Sequence, residues 1–390
     1  MRLLFALVSV AFLAAPAPAA HAGAPALAPV YLGSEPLAFS LEADFQKLFR
    51  ERDPDNSEKA ILRYFDPLRG GDIELTVDVR VRGNTSLLAD ECSFPKISIE
   101  FRKEKELKGT IFEGAIKIRL GTHCGELPDA QATPNGRLAN QKSPVRENLA
   151  HQILSLLAIP AQHSRLAEVT YIESGTGRKT TRHAQMLEDF EAIARRLGGR
   201  IQRYRDNPLA AEPSPAPQLP EIFSDARSED VDLDELASVY LFQALIGNYD
   251  WSVKVSASDE APHSFDNVRA VKIKGGKTVI IPYDFDKAAS VTGRIERSPD
   301  YPPKALTNGN KDVLFNYARL RIDRARELFS KTTMKKQESH FSATRPAILS
   351  AIDRSHVDED GKALMRRHVE AFFAALGSHE LNGDCNGELK

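Results

Sequence analysis

The sequence predicts an α+β protein whose β-rich N-terminal part gives way to a mainly helical C-terminal part. Two patterns carry that expectation. Residues 72–82 (DIELTVDVRVR) alternate apolar and polar without a break, and residues 94–102 repeat the alternation, as half-buried strands do. Residues 310–331, 333–354 and 357–377 instead carry the period of long amphipathic helices.

The elements follow in chain order. Residues 1–22 place Arg2 before an apolar run, then Pro16 and Pro18, then Ala20-His21-Ala22, which is the pattern of a secretory signal peptide. The run is short for a bilayer span and no second one follows, so no stable membrane span is expected once the signal is removed. The mature chain is expected to be exported, periplasmic or extracellular in a bacterium. Residues 23–36 are rich in Ala and Pro and read as a linker. A β-rich segment is assigned to 37–185 and a helical one to 186–390.

Within the first segment, residues 36–50 alternate and then turn helical, and three strands at 72–82, 94–102 and 115–121 make a small antiparallel sheet. Ile73, Leu75, Val77, Val79 and Val81 share its inner face, as do Ile97, Ile99 and Phe101. A helix is expected to start with Ser143 as N-cap and Pro144 in its first turn, with Leu149, Ile153, Leu156 and Leu157 as its buried stripe. Residues 165–172 read as a strand and 184–198 as a helix stopped by Gly198-Gly199. Five prolines between 206 and 220 mark a mobile surface loop. Asp232 to Asn248 is a helix, and 268–274 with 278–283 form a hairpin across Gly275-Gly276.

Composition narrows the function. The 390 residues are 42% hydrophobic and 27% charged, an ordinary globular balance. The 52 Lys and Arg against 54 Asp and Glu leave a net charge of −2, which excludes a strongly basic nucleic-acid binder. Aromatics are 7%, with Trp251 the single Trp, so an aromatic-rich sugar- or base-stacking face is not expected. In an oxidising compartment Cys92 and Cys124 are expected to pair. Their other use, a metal site with His123, lacks further ligands at a suitable spacing. Cys385 lies near the end of the chain and is expected to stay unpaired.

Three segments of the helical part carry the candidate chemistry: Ile246-Gly247-Asn248-Tyr249-Asp250-Trp251, Ser264-Phe265-Asp266-Asn267-Val268 and Ile281-Pro282-Tyr283-Asp284-Phe285-Asp286. The hairpin sets the last two side by side and the helix end supplies the first, so Asp250, Asn267, Asp284 and Asp286 are expected to converge. Oxygen donors without His or Cys suit Mg²⁺ or Mn²⁺, and clustered carboxylates need a cation to neutralise them. That chemistry fits metal-assisted phosphoryl transfer, which also needs a positioned lysine. Arg82-Gly83-Asn84, Lys96 and Lys117 are the cations on offer, and Glu147 on the following helix is placed to pair with a lysine. Singly, each residue has an ordinary reading as a cap, a turn or a solvated strand position. Their combination points to a site.

The ordered stretches RVRGNTS (80–86), CSFPKISIEF (92–101), IKIRLGTHC (116–124), SPVRENLAHQIL (143–154), MLEDFEAIARRLG (186–198), FQALIGNYDWSV (242–253) and PYDFD (282–286) resemble the CotH-like (spore-coat) atypical protein kinase family, in its exported bacterial branch. The resemblance implies an atypical protein-kinase-like two-lobe fold with ATP and Mg²⁺ or Mn²⁺ as cofactors. It implies Asp250 as the catalytic acid, Asp284 or Asp286 as metal ligand with Asn267 as companion, and Glu188 facing the nucleotide. It implies Lys96 or Lys117 on the phosphates. The activity implied is phosphorylation of Ser/Thr on an exported protein. Two other functions stay open: a non-catalytic binding or structural protein, since no G-x-G-x-x-G loop is present, and a metal-dependent phosphoester hydrolase.

Overall fold

Seven strands close into a barrel in the computed structural model, which describes residues 26–202, 204–205, 223–224, 231–254, 264–294 and 313–378. Residues 1–22, expected to be a signal peptide, the Pro-rich stretch 206–220 and Cys385 lie outside the described residues. The barrel strands are β1 (Leu37–Ala43), β2 (Glu58–Asp66), β3 (Gly71–Val81), β4 (Ile97–Phe101), β5 (Lys117–Gly121), β6 (Ser164–Glu173) and β7 (Lys179–Glu188). Short helices α1 (Phe45–Glu51) and α2 (Glu104–Leu107) interrupt them, and α3 (Lys142–Leu156) comes between β5 and β6. Neighbours run antiparallel around the order β1-β2-β3-β4-β5-β7-β6, and β1 then pairs parallel to β6 from Leu37↔Ala167 to Ala43↔Glu173.

This closure corrects the expected fold. The β-rich part is neither a small open antiparallel sheet nor the first lobe of a kinase-like two-lobe molecule; it is a closed barrel with its own filled interior. The physical reason is the β1–β6 pairing. Each strand has one apolar face, and joining the two edge strands buries all of those faces around one axis and leaves no edge to protect. Leu41, Leu62, Val77, Ile99, Ile118 and Val169, one from each of six strands, are fully buried there.

The predicted inner faces of β3 and β4 are buried as expected, except Ile73, which is half-buried near the start of β3 and packs against the barrel core. Two local boundaries differ from expectation. Residues 184–188 finish β7, and only Phe190–Arg196 form the helix α4, with Asp189 Oδ2 accepting from the Glu191 amide at 3.1 Å. Ser143 is not the N-cap of α3: the helix starts at Lys142, Ser143 is buried in its first turn, and Asn140 Oδ1 accepts from the Lys142 amide at 3.0 Å.

The second core is helical. It gathers α3, α5 (Leu233–Ile246), α7 (Val313–Leu328), α8 (Lys331–Arg354) and α9 (Glu359–Gly377), with the short α6 (Ala289–Thr292) against α9. Beside it, β8 (Gly199–Ile201), β13 (Val268–Ile273) and β14 (Thr278–Pro282) form a three-stranded sheet in the order β14-β13-β8. The two-residue strands β9 (Tyr204–Arg205) and β10 (Phe223–Ser224) pair with each other, as do β11 (Ser252–Lys254) and β12 (Ser264–Asp266). Helix α3 packs on β6 and β7 on one side and on α8 on the other, which buries it nearly all round up to Leu154. Leu149, Ile153 and Leu157 are buried as expected, but Leu156, in its last turn, is exposed. Arg146 on α3 holds Asp358 at the start of α9 through two hydrogen bonds of 3.1 and 2.9 Å. No helix among the described residues is long and apolar enough to cross a membrane.

Cys92 and Cys124 form a disulfide, as expected from their pairing in an oxidising compartment, and both are buried. Their separation of 32 residues puts the loop-closure contribution at about 3–4 kcal/mol. Reduction is expected to lower the unfolding free energy by that amount. Urea unfolding with and without a reductant, against a Cys92→Ser/Cys124→Ser variant as the fully reduced reference, checks it.

Candidate active site

The site begins at the segment that leaves β14. Phe285 is fully buried, with its ring 4.6 Å from His151 on α3 and 5.3 Å from Phe242 on α5. Phe285 is anchored in the helical core, and the chain, which leaves β14 at Pro282 and takes a left-handed conformation at Asp284, sets both Asp284 and Asp286 toward the barrel. There they meet Lys96, which lies one residue before β4 and is 8% exposed. Lys96 Nζ donates to Asp284 Oδ1 and, at 2.8 Å, to Asp286 Oδ2. Glu147 on α3 closes the group from behind: its Oε1 accepts from the Phe285 amide at 3.1 Å.

Electrostatics follow from that geometry. Burial alone would lower the Lys96 ammonium, but Asp284 and Asp286 outweigh it and hold its pKa above the ordinary value. Burial would raise Asp286, yet Arg137 and Lys96 keep it well below the usual carboxylate range. Glu147 goes the other way. Burial pushes it up to about 8; Lys96 opposes, and the like charges of Asp286 and Asp284 add to the rise. A carboxyl raised in the folded state binds its proton more tightly there than in the unfolded chain. Its contribution to stability is therefore full at low pH and is lost as pH rises from about 4.5 toward about 8. Glu147→Gln, which keeps an oxygen for the Phe285 amide, is expected to flatten the dependence in that window. Urea unfolding of both proteins between about pH 5 and about pH 8 is expected to give about equal stability at the low end and a more stable variant at the high end.

A second group stands beside the first. Helix α5 ends at Gly247, whose φ of +64° makes the left-handed cap, and a Cβ there would lie 3.0 Å from His368 Cε1. The buried Asn248 then folds back on Gln243 through its own amide and Nδ2, each at 2.9 Å, and its Oδ1 accepts from the Asp250 amide at 3.1 Å. Asp250 is thereby aimed at Asn267, whose Nδ2 donates to the Asp250 carbonyl at 2.6 Å and to Oδ2 at 3.0 Å. Lys287 Nζ reaches the same carboxylate at 3.3 Å. Burial raises the Asp250 pKa, Lys287 opposes, and Asp286 and Asp284 raise it further, so the two acidic groups share one field. Asn267 and Asp284 both have positive φ, of +50° and +63°, a conformation that Asn and Asp tolerate better than other non-glycine residues.

Two of the predicted residues lie elsewhere. Lys117 pairs across strands with Glu100 at 3.0 Å on the outside of the barrel. Glu188 accepts two hydrogen bonds from Arg196, at 3.0 and 2.9 Å, in a separate network that includes the His163 amide. Between the two candidate lysines, only Lys96 belongs to the acidic cluster.

Sequence reasoning missed Arg137, Glu91, Lys287 and Arg119. Lys287 directly follows Asp286 and was legible as part of that run. Arg119 faces Phe190 at 4.6 Å from its ring centroid, and its place on a strand next to Lys117 drew no distinction between the two. Arg137 and Glu91 sit in loops without periodicity, and no sequence signal joins them.

Among the described residues, no group of three or more His, Cys, Asp and Glu side chains is disposed to hold a metal ion. Magnesium asks less of a protein: one or two carboxylates, with the phosphates of a substrate and water completing the shell. Asp284 and Asp286 fit that smaller set. Asp286 Oδ1 is buried and makes no hydrogen bond, an orphaned acceptor beside the half-buried Asp284.

No protein-family model matches the chain, and no curated protein matches it. Among solved structures the chain is similar to the Helicobacter pylori proinflammatory kinase CtkA, at 14% identity over 74% of this chain and 95% of that one, with a TM-score of 0.33. The CotH-like resemblance accordingly rests on the sequence stretches themselves.

Proposed function

We propose that the chain is a phosphotransferase that moves a phosphoryl group from a nucleotide, ATP in the first instance, to a Ser or Thr hydroxyl of an exported protein. The observation that carries this reading is the pairing of Lys96 with Asp284 and Asp286 next to a second, separately held acid, Asp250. A lysine with two carboxylates suits a phosphate chain, and an acid a few residues away in the fold suits the hydroxyl that attacks it. Asp284 and Asp286 would hold Mg²⁺ or Mn²⁺ with the phosphates, and the cation would supply neutralisation of the charge on the transferring group. Lys96 leaves its bond to one carboxylate to meet a phosphate oxygen. Asp250, oriented by Asn267, accepts the proton of the hydroxyl. The disulfide supports an oxidising compartment, in keeping with an exported acceptor.

The test is thermal unfolding with ATP, with Mn²⁺, with Mg²⁺, and with nucleotide and metal together, run beside Asp284→Ala. A rise in melting temperature that needs both partners and is absent from the variant supports the reading. Labelled phosphate transferred to a hydroxyl separates it from a hydrolase, which would release free phosphate. No rise under any condition moves the reading to a non-catalytic binding protein.

A further inference from the structure

Arg137 sits where an ordinary structural arginine would grip one carboxylate with both arms of its fork. It does not do so here. Its Nε donates to Asp286 Oδ2 at 2.7 Å, and its Nη1 donates to Glu91 Oε2 at 2.9 Å. The guanidinium is thus strung between two buried acids, Glu91 being 3% and Arg137 5% exposed. On Asp286 it shares the oxygen that Lys96 also uses, and the other oxygen, Oδ1, remains without a partner. A bidentate grip would have consumed Oδ1. The single bond fixes the carboxylate and leaves that oxygen unengaged.

The anchor at the far end is itself held. Glu91 Oε1 accepts from the Asn135 amide at 2.6 Å, and Arg137 closes the same turn through the Thr133 amide and hydroxyl at 3.0 Å each. Glu91 is next to Cys92, whose bond to Cys124 ties this loop to the end of β5. A chain of contacts therefore runs from the disulfide through Glu91 and Arg137 to Asp286 and Lys96.

We propose that Arg137 is a positioning residue of the site: held by Glu91, it orients Asp286 so that one oxygen engages Lys96 and the other stays available to the phosphate-bound cation. This rests on the phosphotransferase reading. Arg137 touches neither the nucleotide nor the acceptor in this account, so its loss acts on turnover more than on binding.

Arg137→Met would leave two buried carboxylates short of a partner and risks not folding. Arg137→Lys keeps the charge but reaches one acid only, and Glu91→Gln keeps the shape of the anchor. Two measurements on these folded variants test the proposal. In Mg²⁺-dependent ATP turnover, Arg137→Lys is expected to lower kcat about tenfold with KM for ATP within about twofold, and Glu91→Gln to lower kcat in the same direction by less. In urea unfolding, a double-mutant cycle between Glu91→Gln and Asp286→Asn is expected to show a coupling of about tenfold in the unfolding constant. That coupling should vanish when the cycle is repeated on Arg137→Lys. A cycle with no coupling, or kcat unmoved in Arg137→Lys, overturns the proposal. Absence of ATP turnover in the unaltered protein overturns the functional reading instead, and the cycle then still decides whether Arg137 links the two acids.

Discussion

Lys96→Met is expected to cost about 3–5 kcal/mol of stability, the loss typical of removing one partner from a buried charge group. Lys96 is the cation between Asp284 and Asp286, and no other hydrogen bond to the Asp284 carboxylate is seen among the described residues. Without it, Asp286 keeps Arg137, while Asp284 keeps no hydrogen-bonded cation and only the fields of Arg82, Arg119 and Arg137, and Glu147 feels the like charges of Asp286 and Asp284 without the opposing lysine. Asp284 is half-buried, so water softens its share. The deficit should also depend on pH. Lys96 opposes the rise of Glu147, so its loss makes that carboxyl hold its proton more tightly, and the variant is expected to lose most at about pH 8 and least near about pH 5, where Glu147 is protonated. Adding Asp284→Asn should restore part of the loss, because the amide needs no counter-charge. Urea unfolding of the three proteins at the two pH values decides the matter. A Lys96→Met protein within about 1 kcal/mol of the parent, the scale of a surface pair, would show that the carboxylates are neutralised in some other way.

The same cluster shows what a sequence makes legible. Strict alternation announced β3 and β4 and the faces they bury, because a strand's side-chain period of two is written directly into Ile73 through Val81. The ends of α5 were equally open, with Asp232 accepting from the amides of Asp234 and Glu235 at its start and Gly247 at its stop. Barrel closure was not. Nothing local in Leu37–Ala43 says that it will pair with residues 167–173, since that contact depends on where the whole intervening chain travels. The resemblance to a kinase family then supplied a two-lobe plan that the closed barrel overrides. In the site, Asp284 and Asp286 were legible because they alternate with an anchoring Phe285. Lys96 and Lys117 could not be separated, both being strand-flanking lysines. The difference is which side of β4 and β5 each one faces, and therefore whether it meets Asp286 or Glu100. Arg137 and Glu91 carried no pattern at all, because loops place residues by three-dimensional closure instead of by period.

Asp250→Asn is expected to lower phosphoryl transfer by about 10²–10⁴-fold, the range for loss of a positioned general base, without loss of stability. The two halves of that expectation come from one environment. Asp250 accepts from Asn267 on one oxygen and from Lys287 on the other; an isosteric amide keeps an oxygen for Asn267 and gives up Lys287, while the turn set by Gly247 and Asn248 stays held through the Asp250 amide and carbonyl. Burial and the nearby Asp284 and Asp286 raise its pKa, which means that the folded protein carries this charge at a cost above the pH where the unfolded chain ionises it. Removing the charge removes that cost, so at neutral pH Asp250→Asn should be as stable as the parent or more so. A residue whose job was only to pair with Lys287 would behave in the opposite way, losing stability when neutralised. Urea midpoints and transfer rates on the same preparations separate the two roles. A variant that keeps full activity, or one that loses activity only in proportion to its folded fraction, would remove Asp250 from the chemistry and leave it as a cap for the turn after α5.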